Sequence, residues 1–210
     1  MTRQSQTSRS VSPGSGPRQT CARRSGLGFT LIEMVIVLLV IGIVVGLAAP
    51  KIDVTKFRIE SAMQGVGTTL LAVERQAITQ QHDVIVMFDV PNNLLRIHDD
   101  ANNNGQVDPG ERVRGMPLGE GIVFGRAGVT PRPAPMGMGA VSFTKVVAGL
   151  PAVVFHRDGS ASEAGGFYLT SNRAATGGTH LDDTRSVELE RATGRASWFK
   201  YGSGGWVRAF

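Results

Sequence analysis

Between Asp100 and Glu111 the chain reads DANNNGQVDPGE, oxygen-bearing side chains at the D-x-N-x-N-G-x5-E spacing of a calcium loop. Asp100, Asn102 and Asn104 can aim oxygens at one centre, Gly105 permits the sharp turn, and the Gln106 carbonyl follows. Asp108 can act through a water, and Glu111 can close the shell with both carboxylate oxygens. Asn, Asp and Gly are equally the residues of polar turns, so an ordinary strand-to-strand loop is the competing reading. The flanks are strand-like, and two of the three leading ligands are neutral amides. Calcium held here would therefore bind weakly, with a Kd of about 10⁻⁴–10⁻³ M. No other cofactor is indicated.

The remaining chemistry-bearing residues are scattered. His82, His98, His156 and His180 show no paired metal-ligand spacing, and the chain has neither G-x-S-x-G nor a phosphate loop ending in Gly-Lys-Ser/Thr. His156 follows Val153-Val154-Phe155 and precedes Arg157-Asp158-Gly159, which reads as a strand entering a turn. With no nucleophile at a suitable spacing, no enzyme is expected. Near the end, Arg191, Arg195, Lys200 and Arg208 are interleaved with Trp198, Phe199, Tyr201 and Trp206, a composition that can bind phosphate and stack bases. The alternation of Val187, Leu189 and Trp198 also fits strand core. Whole-chain charge does not favour DNA. Of 22 Lys and Arg, five (Arg3, Arg9, Arg18, Arg23, Arg24) precede residue 28, leaving 17 against 17 acids.

The elements that must carry these residues begin with an unusual order. Residues 1–25 are polar and Arg-rich, as in disordered segments, and hold the single cysteine, Cys21. An apolar run, Leu31 to Ala49, then follows a small residue, Gly28, whereas a secretory signal places its apolar core before the cleavage site. The run is long enough to span a membrane as a helix, and Arg23 and Arg24 place its N-terminal end on the cytoplasmic side. Glu33 is its only charge. A carboxylate at membrane depth costs about 2.5–3.5 kcal/mol, which points to a partner, although an acid near a helix start can also snorkel.

Gly28-Phe29-Thr30-Leu31-Ile32-Glu33, followed by MVIVLLVIGIV, resembles the processing and methylation motif of type IV prepilins and type II secretion pseudopilins. The resemblance implies cleavage after Gly28 by a prepilin peptidase, N-methylation of Phe29 by its methyltransferase activity, and pairing of Glu33 with a neighbouring subunit's amine. It further implies other pilins or pseudopilins and an inner-membrane assembly platform as partners, with a single membrane pass and a periplasmic C-terminal domain.

Beyond Pro50, Ile59, Met63, Val66, Leu70, Val73 and Ala77 recur at spacings of four and three, one stripe of an amphipathic helix. Pro50 is expected to kink rather than end a helix running from about Leu31 to Gln80, roughly 75 Å long. After His82 short apolar runs alternate with turns, at Val84–Phe88, Leu94–Ile97, Gly121–Phe124, Ala140–Phe143, Ala152–Phe155, Gly166–Thr170, Ser186–Glu190 and Ala196–Tyr201. Between Val129 and Gly139, VTPRPAPMGMG reads as an exposed, mobile loop. The segments FHRDGSAS and ELERATGRASWF resemble the soluble domain of the H-type pseudopilin family (GspH/FimT), which serves type II secretion and type IV pili alike. The expected fold class is α+β, a long pilin-like helix packed on an antiparallel β-sandwich-like domain. The expected segments are a leader (1–28), a transmembrane helix (29–50), its amphipathic continuation (51–81) and the β-rich domain (82–210). The expected role is a minor pseudopilin, or alternatively a minor pilin acting in motility, adhesion or DNA uptake.

Overall fold

The computed structural model describes residues 28–48 and 53–209. Two compact units divide the chain at residue 52. The leader up to Leu27, Cys21 included, and the segment 49–52 with Pro50 lie outside the described residues.

The first unit holds α1 (Leu31–Ala48), 18 residues whose apolar side chains cover the whole circumference. Thr30 starts it as a cap: its hydroxyl accepts the Glu33 N–H at 3.2 Å and its carbonyl the Met34 N–H at 3.2 Å. At 1.5 Å per residue α1 is about 27 Å long, a few ångströms under the ~30 Å of a hydrocarbon core. Among the described residues no helix is long and apolar enough to cross a membrane. The apolar sequence itself continues through Ala49.

The second unit opens with α2 (Val54–Gln80). The expected join to the apolar helix lies outside the described residues. Asp53 caps α2, its carboxylate accepting the N–H groups of Thr55 at 3.1 Å and Lys56 at 3.4 Å. The stripe read from spacing is the buried face: Ile59, Met63, Val66, Leu70, Val73 and Ala77, joined by Ala62. Ten strands follow: β1 (Asp83–Asp89), β2 (Leu94–Asp100), β3 (Val113–Pro117), β4 (Ile122–Phe124), β5 (Val146–Val147), β6 (Leu150–Phe155), β7 (Gly165–Ser171), β8 (Arg185–Leu189), β9 (Ala196–Gly202) and β10 (Gly205–Arg208). A short helix, α3 (Asn172–Gly177), follows β7. They form two antiparallel five-stranded sheets, β3-β2-β1-β6-β5 and β10-β9-β8-β7-β4. The fold class is thus α+β, a helix packed on a two-sheet antiparallel domain.

One core joins the α2 stripe to Val84, Val86, Phe88, Phe124, Phe155, Phe167, Val187, Leu189 and Trp198. Phe88 sits among three other rings, 4.9 Å from Phe167, 5.2 Å from Phe143 and 6.0 Å from Phe124, edge-on or offset as ring quadrupoles prefer. Strand β1 is buried on both faces, because on the face away from the main core Ile85 and Met87 cluster with Val154 and Ala152 of neighbouring β6 and with Val147. That accounts for its unbroken apolar run. Gly67 lets α2 approach closely: a Cβ there would lie 2.8 Å from Trp198 Cζ2.

Two expectations are corrected. Ala140–Phe143 contributes only an isolated pairing of Val141 with Phe167, not a strand, although Phe143 joins the core. The segment from Val129 to Gly139 is exposed at Thr130, Pro133 to Pro135, Met138 and Gly139, but it is not a free loop, since Val129 and Met136 are buried.

Candidate functional site

At the junction nominated for processing, Gly28 has open space where a Cβ would stand, and Phe29 is 72% exposed. A small residue thus stands beside an exposed ring, three residues ahead of the first helical residue, Leu31. Every described side chain of α1 is exposed, Glu33 included, and Glu33 has its own backbone N–H satisfied by Thr30. An all-round apolar helix of this kind is completed by lipid or by other helices. The fourth residue assigned to assembly and processing, Pro50, lies outside the described residues.

The Asp100–Glu111 loop joins β2 to β3. Asp100, the last residue of β2 and 1% exposed, accepts the Asn104 N–H at 3.0 Å and the Gly105 N–H at 2.7 Å. Asn102 Oδ1 accepts the Asn104 N–H at 3.0 Å, and Asn104 Oδ1 the Gln106 N–H at 2.8 Å. Both amide groups also donate to Asp108, at 2.8 Å from Asn102 and 2.5 Å from Asn104, and hold its carboxyl below the usual range. Glu111 accepts the N–H groups of Ala101 at 3.0 Å and Asp108 at 3.1 Å. Beneath lies His98, fully buried, with Nε2 2.9 Å from Glu111 and 3.0 Å from the Gln106 carbonyl. Both neighbours are acceptors, so Nε2 carries the hydrogen. Burial pushes the Glu111 carboxyl up, but the Asp108 N–H and His98 outweigh it, leaving a net downward shift. The loop thus gathers the nominated oxygens into one network, but spends them on its own donors. Among the described residues no group of three or more His, Cys, Asp or Glu is arranged to hold a metal ion. For calcium to enter, the two amides would have to turn and Glu111 leave His98.

The four cations of the nucleic-acid reading are not aligned. Arg191 and Arg195 lie in the turn between β8 and β9. Lys200 pairs across strands with Val207 and Arg208 with Phe199, so alternation sends Lys200 and Arg208 to opposite faces of the sheet. Trp198 is core, while Trp206 donates its indole N–H to the Thr130 carbonyl at 2.7 Å. His156 does leave a strand for a turn, with Nδ1 2.8 Å from Asp83 Oδ2, while the nearby Ser160 hydroxyl bonds Asp158 instead, at 2.7 Å.

A cluster that sequence reasoning missed ties the start of α2 to the second sheet. Arg173 places Nε 2.8 Å from Asp183 and Nη2 2.9 Å from Asp53. Lys56 reaches Asp182 at 2.6 Å, and Arg185 reaches Glu60 at 2.7 Å. Burial pushes the Asp183 carboxyl up, but Arg173 and the Ser171 hydroxyl outweigh it and hold it below its usual value. The bond from Arg173 does the same for Asp53 against a smaller desolvation.

The family profile for the prokaryotic N-terminal methylation motif matches residues 23–49. A pilin-like protein, PilA1 of Thermus thermophilus, is 27% identical over 95 residues, 45% of this chain and 61% of that protein's length. The solved minor pseudopilin EpsH from the Type 2 Secretion System of Vibrio cholerae aligns over 68% of this chain and 96% of its own, with 16% identity and a TM-score of 0.42. The match to the prokaryotic N-terminal methylation motif falls on the stretch that holds the exposed Gly28–Phe29 pair, Glu33 and the apolar helix, and there the chain is similar to proteins that carry that motif.

Proposed function

We propose that this chain is a minor pseudopilin, a structural subunit of the periplasmic pseudopilus of a type II protein secretion system. The observation that carries this reading is α1, apolar on every side, exposed throughout, and headed by the methylation motif. Before assembly the helix is held in the inner membrane; afterwards its neighbours are the helices of other pilins or pseudopilins. A prepilin peptidase removes the leader after Gly28 and methylates Phe29, and an inner-membrane assembly platform takes up the subunit. The second unit faces the periplasm. Glu33 compensates the amine of a neighbouring Phe29 inside the apolar bundle.

The two segments that resemble H-type pseudopilins meet in the fold. Ala161 donates its N–H to the Arg191 carbonyl at 2.8 Å, and Gly194 sits so near Gly159 that a Cβ would lie 2.5 Å from its carbonyl oxygen. This contact supports an H-type domain, which serves type II secretion and type IV pili alike. The pilin-like relative favours a second reading, a minor pilin of a type IV pilus acting in motility, adhesion or DNA uptake. A deletion strain separates them. Loss of secreted enzymes in the culture supernatant with twitching and DNA uptake intact supports the pseudopilin, and the reverse pattern rejects it.

A further inference from the structure

The face of the β10-β9-β8-β7-β4 sheet turned away from α2 carries an aromatic row with no part in the filament reading. Phe167, Leu169, Val187, Leu189 and Trp198 point to the core, so alternation turns Tyr168, Glu188, Phe199 and Tyr201 outward, and Trp206 pairs with Tyr201 beside them. Ring centroids lie 5.7 Å apart for Tyr168 and Trp206 and 5.3 Å apart for Tyr201 and Trp206.

The chain lays its own Thr130-Pro131-Arg132-Pro133 on this row. Trp206 Nε1–H donates to the Thr130 carbonyl at 2.7 Å, and the Tyr168 hydroxyl accepts the Arg132 N–H at 3.0 Å. The Arg132 guanidinium stands 3.2 Å above the Phe199 ring, with Nη2 2.8 Å from Glu188. Each proline biases the residue before it, Thr130 and Arg132, toward extended backbone, and Pro131 has no N–H to leave unsatisfied against the rings. Aromatic rows with a nearby acid are a general means of recognising proline-bearing extended segments.

We propose that this face is a recognition groove for an extended Pro-Arg-Pro segment, filled in cis by residues 130–133, and that a proline-rich basic segment of a partner protein displaces that strap. The strap's middle is fixed to the sheet by two hydrogen bonds from or to its backbone, the Arg132–Glu188 ion pair and the contact of Arg132 with Phe199. Its ends are set by buried Val129, whose carbonyl Arg126 binds, and buried Met136. Gly128 stands before it at φ +79, and Gly137 and Gly139 follow, so the backbone on both sides can swing without Cβ strain. A cavity of about 410 Å³ lined by Arg132, Pro135, Glu188, Arg191 and Phe199 gives an incoming chain its first foothold. This surface belongs to the second unit alone, and the proposal and the filament reading can fail separately.

The test titrates full-length protein in detergent micelles with a labelled peptide of residues 128–137, GVTPRPAPMG. Arg132→Ala loosens the chain's own strap and should bind the peptide at least tenfold more tightly than wild type. Replacing the peptide's Arg with Ala, or adding Glu188→Gln to the variant, should each weaken that binding at least tenfold. Because Arg132→Ala could disturb the fold, a second form carries a protease site inserted after exposed Met138 and is nicked after folding; nicking should raise the affinity in the same way. Equal affinity of the wild-type, Arg132→Ala and nicked forms overturns the proposal. So does equal binding of the Arg and Ala peptides, or preference of the loosened form for a single-stranded oligonucleotide over the peptide.

Discussion

At Glu33 two demands meet. The carboxylate costs about 2.5–3.5 kcal/mol in hydrocarbon, yet a lone helix can slide its first turn toward the headgroups. Glu33→Ala is therefore expected to insert and be processed normally but to lose co-purification with partner pilins; normal incorporation would reject a pairing role. This residue was legible because it is the one charge within an apolar run. Arg173 was not, since its partner Asp53 is 120 residues away and nothing local marks either. Its removal has a readable signature. Asp183 is fully buried, and its carboxyl, held low, contributes stability above about pH 4 that is lost as pH falls through the folded value. Arg173→Ala leaves that carboxylate with the Ser171 hydroxyl alone, a loss of about 3 kcal/mol at pH 7. Protonation then relieves the unpaired charge, so the gap in melting temperature between wild type and variant should narrow from pH 7 to pH 3. A gap independent of pH would mean that Arg173 acts through packing.

Elements were legible where periodicity is strong. The spacing of Ile59 to Ala77 named the buried face of α2, and the dense run Val84–Phe88 named the strand β1. The start of α2 was not legible, because one Asp side chain decides it inside a sequence that otherwise keeps helical character. Nor was the burial of Val129 and Met136, which depends on rings far along the chain. Gly67, a poor helix former within α2, makes the space for Trp198. Alanine gains about 1 kcal/mol in helix propensity, but forcing a methyl against that ring costs about 1–3 kcal/mol. Gly67→Ala should accordingly lower the melting temperature; a rise would show that the indole has room to move. The loop between β2 and β3 offers a separate measurement. At millimolar calcium and a Kd of about 10⁻⁴ M, binding adds about 1.4 kcal/mol. The motif predicts a calcium-dependent rise in melting temperature that Glu111→Ala removes and Glu120→Ala, at an exposed site outside the loop, retains. An unchanged melt would leave the hydrogen-bonded turn as the loop's whole content.

For the molecule as a whole, the proposed processing after Gly28 would change charge as well as length. Removing residues 1–28 takes away five arginines and no acid, turning a +5 chain into a formally neutral one. Intact-mass measurement of membrane-extracted protein should find methylated Phe29 at the N-terminus, and Gly28→Arg should retain the full-length precursor. A cut beyond Ala49 would reject the prepilin-like processing. The cluster at the start of α2 also bears on how the chain would carry load in the proposed filament. Tension drawn along the chain through residue 52 reaches the second unit first at Asp53. There Arg173, the Lys56–Asp182 pair and the Glu60–Arg185 pair tie the first two helical turns to the β8 side of the domain within eight residues. Bonds grouped so closely share a pull in shear and yield together, whereas bonds strung along a helix unzip one by one. The domain is thus fastened to its lead like a cleat rather than a seam, most firmly where a moving filament would tug.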